Sequence, residues 1–405
     1  MHALSKYLRD WAEPEIGFAE SIAETYDRAL VVPACREEAS LLDGFTGAAE
    51  TSTGLTLCIL VVNGRRDAPV EHHEQNARLL AAVHEKLAGG RMVRCGLHDR
   101  SRTAFLGTLV PGRLDVLAID RASAGLRLPP KEGVGQARKI GFDLALALRA
   151  KGRLRSRLIF GTDADATLPS AFFDQDAALS DSRTAALTFA FWHTEGDDPA
   201  ITRATAFYEL SLRYYVEGLA WAGSPYAFHT VGSAMGIVAE AYAAVRGMPK
   251  REAAEDFYVL NKVAKCGRIV HVPGSVVRIA SRASDRTPFG TGASVRLGLD
   301  SPAWTLYSPV CFRVLGDVLS RLRAFAAHGD VDQFFRELSG DCAAVERSVV
   351  SAALEQAGAR AALDGAAEQA STSEARQDRV NAWFDAFRTL KLIHAVQGGM
   401  SPNVP

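Results

Sequence analysis

Residues 158–169 read LIFGTDADATLP: a short apolar run passes directly into a turn that carries two carboxylates, Asp163 and Asp165. The run is continuously apolar, which is typical of a strand buried on both faces of a sheet. The two aspartates then lie where that strand ends, and their like charges repel each other. Either a bound cation or full exposure to water accounts for such a pair.

Further short apolar runs recur along the chain, separated by stretches with helical spacing such as 135–149 and 253–265. This alternation predicts an α/β fold in which helices sandwich a mostly parallel sheet. The predicted strands are ALVVPA (29–34), TLCILVV (56–62), LDVLAI (114–119), RLIFGT (157–162), TAALTFAF (184–191), MGIVA (235–239) and RIVHV (268–272).

The same pattern divides the chain into three segments. Residues 1–28 are predicted to form an N-terminal helical segment, and residues 29–299 hold all of the predicted strands. Residues 300–405 include alanine-rich stretches and apolar residues at helical spacing, which predicts a helical C-terminal region. We expect these helices to pack on the core or against a second copy of the chain in a homodimer.

The composition bounds the class of protein. Of the 405 residues, 48% are hydrophobic and 23% are charged, the balance of a soluble globular protein, and the net charge of -1 gives no basic excess for nucleic acid. No stretch of about 18 apolar residues predicts a transmembrane segment. The N-terminus lacks the apolar core of a signal peptide, and the six cysteines form no CxxC pair. We therefore expect a cytoplasmic protein with reduced thiols.

Polar residues follow two of the predicted strands. VVPACREE (31–38) ends the first strand and places Glu37 and Glu38 in the first turn of a helix. That position suits both a ligand-binding sheet edge and an ordinary helix start, where acidic residues are favoured. LVVNGRRDAP (60–69) ends the second strand at Asn63, which is able to hydrogen-bond a base or ribose, although Asn-Gly is also a strong turn signal.

Two further motifs offer groups that suit phosphate. GVGQARKIG (133–141) opens a helix at Gly133 and carries Arg138; a helix N-terminus attracts phosphate, but the full GxGxxG spacing is missing. The Asp-x-Asp turn of the opening stretch presents hard oxygen ligands suited to Mg²⁺ or Mn²⁺. A solvated acidic turn remains the alternative for that motif.

Two stretches near the end of the α/β segment carry charge. REAAEDFYVLNKVAKCG (251–267) places Glu255 and Asp256 at a helix start, where the anion is stabilised and is able to accept a proton. The loop that follows carries Arg282 and Arg286, and arginines clamp phosphates with two hydrogen bonds. A plain N-terminal charge and a solvated loop are the alternative interpretations.

Taken in order along the chain, these motifs resemble a family 2 glycosyltransferase of the GT-A fold over about residues 29–290. The most specific pieces are the Asp-x-Asp turn, the Gly-Ser…Tyr…Gly-Met-Pro stretch at 232–249, and the Glu255-Asp256 pair. The resemblance implies an inverting, metal-dependent enzyme that moves a sugar from a nucleotide diphosphate-sugar to a hydroxyl acceptor. It puts UDP ahead of GDP as the donor nucleotide and leaves the acceptor open.

The resemblance also implies residue roles. It gives Asp163 to the ribose or sugar and to the metal, Asp165 to the metal, and the general base to Asp256, with Glu255 as the second choice for the base. The residues it assigns to donor binding are Pro33, Ala34, Glu37 and Asn63 around the nucleoside, Gly133 and Arg138 beside the phosphates, Gly232 and Ser233 along the sugar and acceptor cleft, and Arg282 and Arg286 over the diphosphate. Asn63 stands where the family usually has an aspartate.

Two other functions are compatible with an α/β fold of this kind. A nucleotidyltransferase would join a sugar phosphate to a nucleotide, but such enzymes usually carry a glycine-rich, basic signature near the first strand, which PACREEASLLDG (33–44) lacks. A non-catalytic protein that binds a nucleotide-sugar is the other alternative. It would bind the nucleotide and release no sugar.

Overall fold

The computed structural model of the chain describes residues 2–96, 101–175, 177–284, 290–300, 305–338 and 347–399. The chain forms two compact units. The first comprises Met1–Ala206 and Thr230–Leu299, and the second comprises Phe207–His229 and Asp300–Pro405.

The first unit is built around one large sheet. In the described residues it has ten strands: β1 Arg28–Ala34, β2 Thr56–Asn63, β3 Ala88–Arg94, β4 Thr103–Val110, β5 Leu114–Arg121, β6 Leu158–Gly161, β7 Ala166–Thr167, β8 Thr184–His193, β9 Met235–Val238 and β10 Arg268–Ile279. Their order across the sheet is β3-β4-β5-β2-β1-β6-β9-β8-β10-β7. All seven strands predicted from apolar runs are present in this sheet, which confirms a mixed α/β fold.

The helices surround and follow the strands in the chain. They are α1 His2–Asp10, α2 Asp43–Thr51, α3 Val70–Lys86, α4 Val134–Ala150, α5 Pro199–Trp221, α6 Ala239–Ala244, α7 Glu255–Val263, α8 Thr291–Asp300, α9 Pro309–His328, α10 Val331–Leu338, α11 Arg347–Gln356, α12 Ala359–Gln369, α13 Ser373–Trp383 and α14 Ala386–Gly398. Short 3₁₀ helices lie at Pro14–Glu20 and Ala39–Leu42.

The sheet is mixed, which corrects the expectation of a mostly parallel one. The central strands β5, β2, β1 and β6 are parallel to one another, and β8 is parallel to β10. The pairs β3–β4, β4–β5, β6–β9, β8–β9 and β7–β10 are antiparallel. The turn between β4 and β5 is too short for a crossover helix, so these neighbours must run in opposite directions.

The central strands are buried because helices cover them. Every residue of β2 is buried, and α4 packs against β1, β2 and β6. Continuous apolar runs are required where both faces of a strand are covered, which explains why these strands were predictable from the sequence.

The strand order reverses next to β1. From β1 the chain continues outward through β2 and β5, and it then returns to place β6 on the other side of β1. In open α/β sheets such a reversal leaves a crevice at the carboxyl ends of the two strands. The segments that leave β1 after Ala34 and β6 after Gly161 therefore diverge around one crevice.

The N-terminal helix is attached to this unit by a buried carboxylate, that of Asp143 in α4. The Tyr7 hydroxyl donates to Asp143 Oδ1 at 2.6 Å and the Tyr242 hydroxyl at 2.8 Å. Lys139 Nζ donates to Oδ2 at 2.7 Å, and the backbone N–H of Glu13 does so at 2.8 Å. Residues 1–28 thus belong to the first compact unit.

The second unit has a hydrophobic core of its own, formed by side chains of α5 and α9 to α14. Leu219, Leu315 and Leu363 are among its buried residues. The unit takes in residues 207–229, which the sequence interpretation grouped with the strands, because the C-terminal half of α5 carries apolar side chains into this core. No helix in the described part of the chain combines the length and the apolar character needed to cross a membrane.

Candidate functional site

A cavity of about 430 Å³ lies at the crevice between the ends of β1 and β6. The segment after β1 contributes Arg36, Glu37 and Glu38, and the turn after β6 contributes Asp165. The remaining lining residues are Ser40, Leu41, Gly44, Ala164, Ala166, Thr167 and Arg282. Three carboxylates and two guanidinium groups thus converge on this space, in agreement with the position expected for a ligand in an open α/β sheet.

One of these guanidinium groups joins the two segments. Arg282 donates to both carboxylate oxygens of Glu37, at 2.9 and 2.7 Å, and to Oδ2 of Asp165 at 2.7 Å. Burial alone would lower the pKa of Arg282, but the hydrogen bonds and charges of Glu37 and Asp165 raise it overall. Arg282 is therefore a fixed positive charge held between two acidic side chains.

A second arginine lies on the other side of the Asp-x-Asp turn. Arg138 of α4 is 3% exposed and donates to Asp163 Oδ1 and Glu255 Oε1. The Ser233 hydroxyl donates to the other carboxylate oxygen of Asp163. Burial would lower the pKa of Arg138, whereas Asp163 and Glu255 raise it above its ordinary value.

The paired aspartates of the opening stretch are therefore separated by their partners. Asp163 pairs with Arg138, and Asp165 pairs with Arg282. Each like charge has an opposite charge of its own, so their repulsion is offset within the protein. Within the described ranges, no three histidine, cysteine, aspartate or glutamate side chains are placed as a ready-made metal site.

Glu255 and Asp256 occupy different environments at the start of α7. Glu255 is buried against Arg138, while Asp256 is only partly buried. Asp256 Oδ2 accepts the backbone N–H of Gly232 at 2.8 Å, and Oδ1 accepts that of Phe257 at 2.7 Å. These two backbone donors fix the orientation of the Asp256 carboxylate.

Burial raises the pKa of both acids. The pKa of Glu255 rises to about 7, because burial and the neighbouring Asp256 outweigh the attraction of Arg138. The pKa of Asp256 is raised by burial and by Asp163, against the opposing effect of Arg138. One guanidinium cannot neutralise three carboxylates, so protons are held more tightly here than in water.

Gly232 is required by close packing. A Cβ atom at this position would lie 2.5 Å from both Nη1 and Nη2 of Arg138. The backbone of Gly232 therefore lies directly against the buried guanidinium and at the same time donates to Asp256. The sequence places Gly232 and Ser233 together in the motif, and the structure brings both to the Arg138 cluster.

The N-terminus of α4 is covered by another segment. Gly133 is the N-cap residue, and the N–H of Gly135 donates to the Arg251 carbonyl oxygen at 3.1 Å. A Cβ on Gly135 would lie 2.5 Å from the carbonyl oxygen of Pro249. The glycines thus allow close approach of the chain around Pro249, and Gly133 lies apart from the cavity at β1 and β6.

Three other predicted residues are located at the ends of β1 and β2. Pro33 and Ala34 are the last residues of β1. Asn63 ends β2 and is buried; its side-chain amide donates to the Ala34 carbonyl oxygen at 3.0 Å, so it ties the two strand ends together. None of the three lines the cavity. Arg286, the remaining predicted residue, lies outside the described residues.

Arg36 is a cavity residue that the sequence interpretation missed. Its backbone has φ +57, a left-handed conformation that is costly for arginine, and its N–H donates to Asn76 Oδ1 at 2.8 Å. Such strained residues cluster at functional sites. An arginine in a tight turn gives no sequence signal of this kind, because the conformation is imposed by the contact with Asn76.

No protein-family model matches the sequence, and no curated protein matches it. Among solved structures, the chain is similar to the mannosyltransferase PcManGT from Pyrobaculum calidifontis, determined in complex with GDP-Man and Mn²⁺. The sequences are 15% identical, the match covers 93% of this chain and 91% of that one, and the TM-score is 0.33.

Proposed function

We propose that this chain transfers a sugar from a nucleoside diphosphate-sugar to a hydroxyl group of an acceptor, with inversion at the anomeric carbon. The observation that carries the proposal is the charged cavity where β1 and β6 end, with Asp163 and Asp165 on its β6 side and a second acidic group, Asp256, held near Asp163 through Arg138 and Gly232. A phosphate-bearing ligand and a proton acceptor are the two requirements of this reaction.

The cavity suits the diphosphate end of the donor. Arg36 and Arg282 supply guanidinium groups, which bind phosphate oxygens with two hydrogen bonds each. The nucleoside would lie toward the end of β1, where Pro33, Ala34 and Asn63 shape the backbone. We propose UDP as the first donor nucleotide to test and GDP as the second.

The donor set also fits a divalent cation. Asp165 and Glu37 offer hard oxygen ligands, and the guanidinium between them marks a point that already stabilises positive charge. Mg²⁺ commonly needs only one or two protein carboxylates, since phosphate and water complete its shell. A bound cation would neutralise negative charge on the leaving diphosphate.

We propose Asp256 as the general base. Its two backbone hydrogen bonds position the carboxylate, and its partial exposure permits contact with an acceptor hydroxyl. A raised pKa brings the group closer to the working pH, which is favourable for a base. Glu255 would act by orienting Arg138 and so holding Asp163 in place.

A thermal-shift screen of nucleoside diphosphates with and without Mn²⁺ tests donor binding, because a ligand that binds the folded state raises its apparent stability. We expect a nucleoside diphosphate to raise the melting temperature in the presence of Mn²⁺ and to do so less without it. Asp165→Ala should remove the effect of the metal. Failure of UDP, GDP and the other nucleoside diphosphates to stabilise the protein under any condition would contradict the proposal.

Donor hydrolysis separates the enzyme from a non-catalytic binder. The protein would be incubated with a radiolabelled nucleotide-sugar, and release of free sugar would be measured against the Asp256→Asn variant. Slow release by the wild type and a lower rate in the variant are expected. Binding of the nucleotide with no sugar released by either form would support the non-catalytic alternative.

A further inference from the structure

Arg282 lies where a cation of the donor site is expected. Its guanidinium bridges Glu37 and Asp165, with all three N···O distances between 2.7 and 2.9 Å. Glu37 and Asp165 come from different strand ends, so this bridge closes the crevice between the segments after β1 and β6. A divalent ion bound by Asp165 would have to share or replace this position, because two adjacent cations repel each other.

The charge of the cavity makes the arginine alone insufficient for a diphosphate. Glu37, Glu38 and Asp165 face Arg36 and Arg282, which leaves one net negative charge among these lining side chains. A nucleoside diphosphate brings at least two more negative charges into the same space. Entry of the diphosphate therefore requires either added positive charge or release of a guanidinium from its carboxylates.

We propose that Arg282 is a resident cation that competes with a divalent ion for Asp165, and that its guanidinium becomes a ligand of the diphosphate once it is released. This inference rests on the proposed function, since it concerns the same donor site. It gives Arg282 two roles: it stabilises the acidic pair in the free protein, and it binds phosphate in the loaded one. The exchange couples binding of the metal to binding of the nucleotide.

The two roles predict opposite effects of one substitution. Arg282→Gln removes the competing charge, so Mn²⁺ alone should bind more tightly than it does to the wild type, by about tenfold. The same variant loses a phosphate ligand, so UDP or GDP in the presence of saturating Mn²⁺ should bind about tenfold or more weakly. An arginine that only contacted phosphate would change the second affinity and leave the first unaltered.

The test measures Mn²⁺ binding to the full-length protein without nucleotide, from the electron paramagnetic resonance signal of free Mn²⁺. Nucleoside diphosphate binding at saturating Mn²⁺ is then measured by calorimetry. Arg278→Gln is the matched control: it removes a charge from β10, four residues before Arg282, but Arg278 is exposed and does not line the cavity. We expect the control to resemble the wild type in both titrations.

The double variant Arg282→Gln, Asp165→Asn should lose the gain in Mn²⁺ affinity, which locates the gain at Asp165. Arg282→Lys retains the charge with a single-point contact and should give an intermediate Mn²⁺ affinity; it also serves if the glutamine variant does not fold. Equal Mn²⁺ affinity in the wild type and in either Arg282 variant would overturn the competition. If the wild type binds nucleoside diphosphate with Mn²⁺ in that case, the proposed function stands alone; if it binds none, the proposed function fails as well.

Discussion

The buried guanidinium of Arg138 organises the carboxylates of the site one residue at a time. Asp163 and Glu255 bond to it directly, and Asp256 interacts with it through its charge. Glu255 is enclosed, whereas Asp256 retains partial exposure and two backbone donors. Adjacent residues of one helical turn thus have different environments, and this difference is the basis for assigning them different functions.

Asp256→Asn should lower the turnover of the proposed reaction by about 10²–10⁴, the usual cost of removing a general base. The amide keeps the shape of the carboxylate but cannot accept the acceptor's proton. Nucleoside diphosphate affinity should barely change, because the cavity at β1 and β6 is not altered. Steady-state transfer kinetics and a nucleotide titration on the same preparation check both parts.

Glu255→Gln provides the comparison within the same helix turn. It should reduce turnover less than Asp256→Asn does, since Glu255 acts only through Arg138. A larger loss from Glu255→Gln would reverse the assignment of the two acids. Full activity in both variants would contradict the base mechanism altogether.

The raised pKa of Glu255 predicts a pH dependence of stability. Burial raises this pKa from its ordinary value of 4.5 to about 7, so the folded state holds a proton that the unfolded state has released between these pH values. The contribution of the neutral carboxyl group is complete below about pH 4.5 and is lost as the pH rises through about 7. Relative to Glu255→Gln, which cannot titrate, the wild type should lose about 1–3 kcal/mol of unfolding free energy between pH 5 and pH 8.

Urea unfolding of both proteins at a series of pH values measures this difference, and groups common to the two cancel from it. Parallel stability curves across the interval would show that Arg138 keeps Glu255 ionised at low pH.

At the scale of elements, α4 links the site to the rest of the first unit. Every residue from Gly135 to Leu148 is buried. The charged side chains on this stretch have buried partners: Arg138 faces the site, and Lys139 pairs with Asp143 one turn later. The helix is thus able to hold Arg138 rigidly only because its second charge pair is satisfied.

Asp143→Asn should destabilise the protein by about 3–5 kcal/mol, because it leaves the buried ammonium of Lys139 without a negative partner. The neutral side chain also weakens the hydrogen bonds from Tyr7 and Tyr242. Chemical denaturation gives the free energy. Asp10→Asn is the control, since Asp10 pairs with Arg9 at the surface, and no measurable change is expected there. Equal stability of the Asp143 variant and the wild type would mean that Lys139 is neutral or hydrated.

The strands that the sequence did not predict have clear physical reasons for their absence from the prediction. β3, AGGRMVR, is exposed along nearly its whole length and so carries no apolar run. β7 has two residues, fewer than any pattern requires. β4, TAFLGTLV, has a glycine in its interior, which weakens a strand pattern, and it is held by pairing with β3 and β5.

At the scale of the whole molecule, the chain has two separate hydrophobic cores. The second contains Leu315 of α9, which is fully buried among side chains of the C-terminal helices. The sequence indicated this helical region by its spacing, but it gave no sign that residues 207–229 join it.

Leu315→Ala should cost about 2–5 kcal/mol of stability in the second unit, because it removes buried surface and leaves a cavity. Leu297→Ala is the control: Leu297 is 68% exposed, and its replacement should change the stability by less than about 0.5 kcal/mol. Equilibrium unfolding followed by fluorescence and circular dichroism measures both. Similar losses from the two variants would indicate that Leu315 is not part of a close-packed core.

The sequence alone determined the class of fold, the positions of the buried strands and the motif residues that follow them. Strands covered on both faces must be continuously apolar, so their sequence pattern is local and legible. The acids after β1 and β6 were found for the same reason, because strand ends can be located from the strands themselves.

Only the tertiary structure decided how those motif residues are paired. The sequence offered two aspartates one residue apart and suggested a cation between them, whereas the folded chain gives Asp163 to Arg138 and Asp165 to Arg282. These partners lie 25 and 117 residues away along the chain. Charge pairing at such separations depends on the strand order, which is set by the packing of the whole sheet and cannot be read from any local pattern.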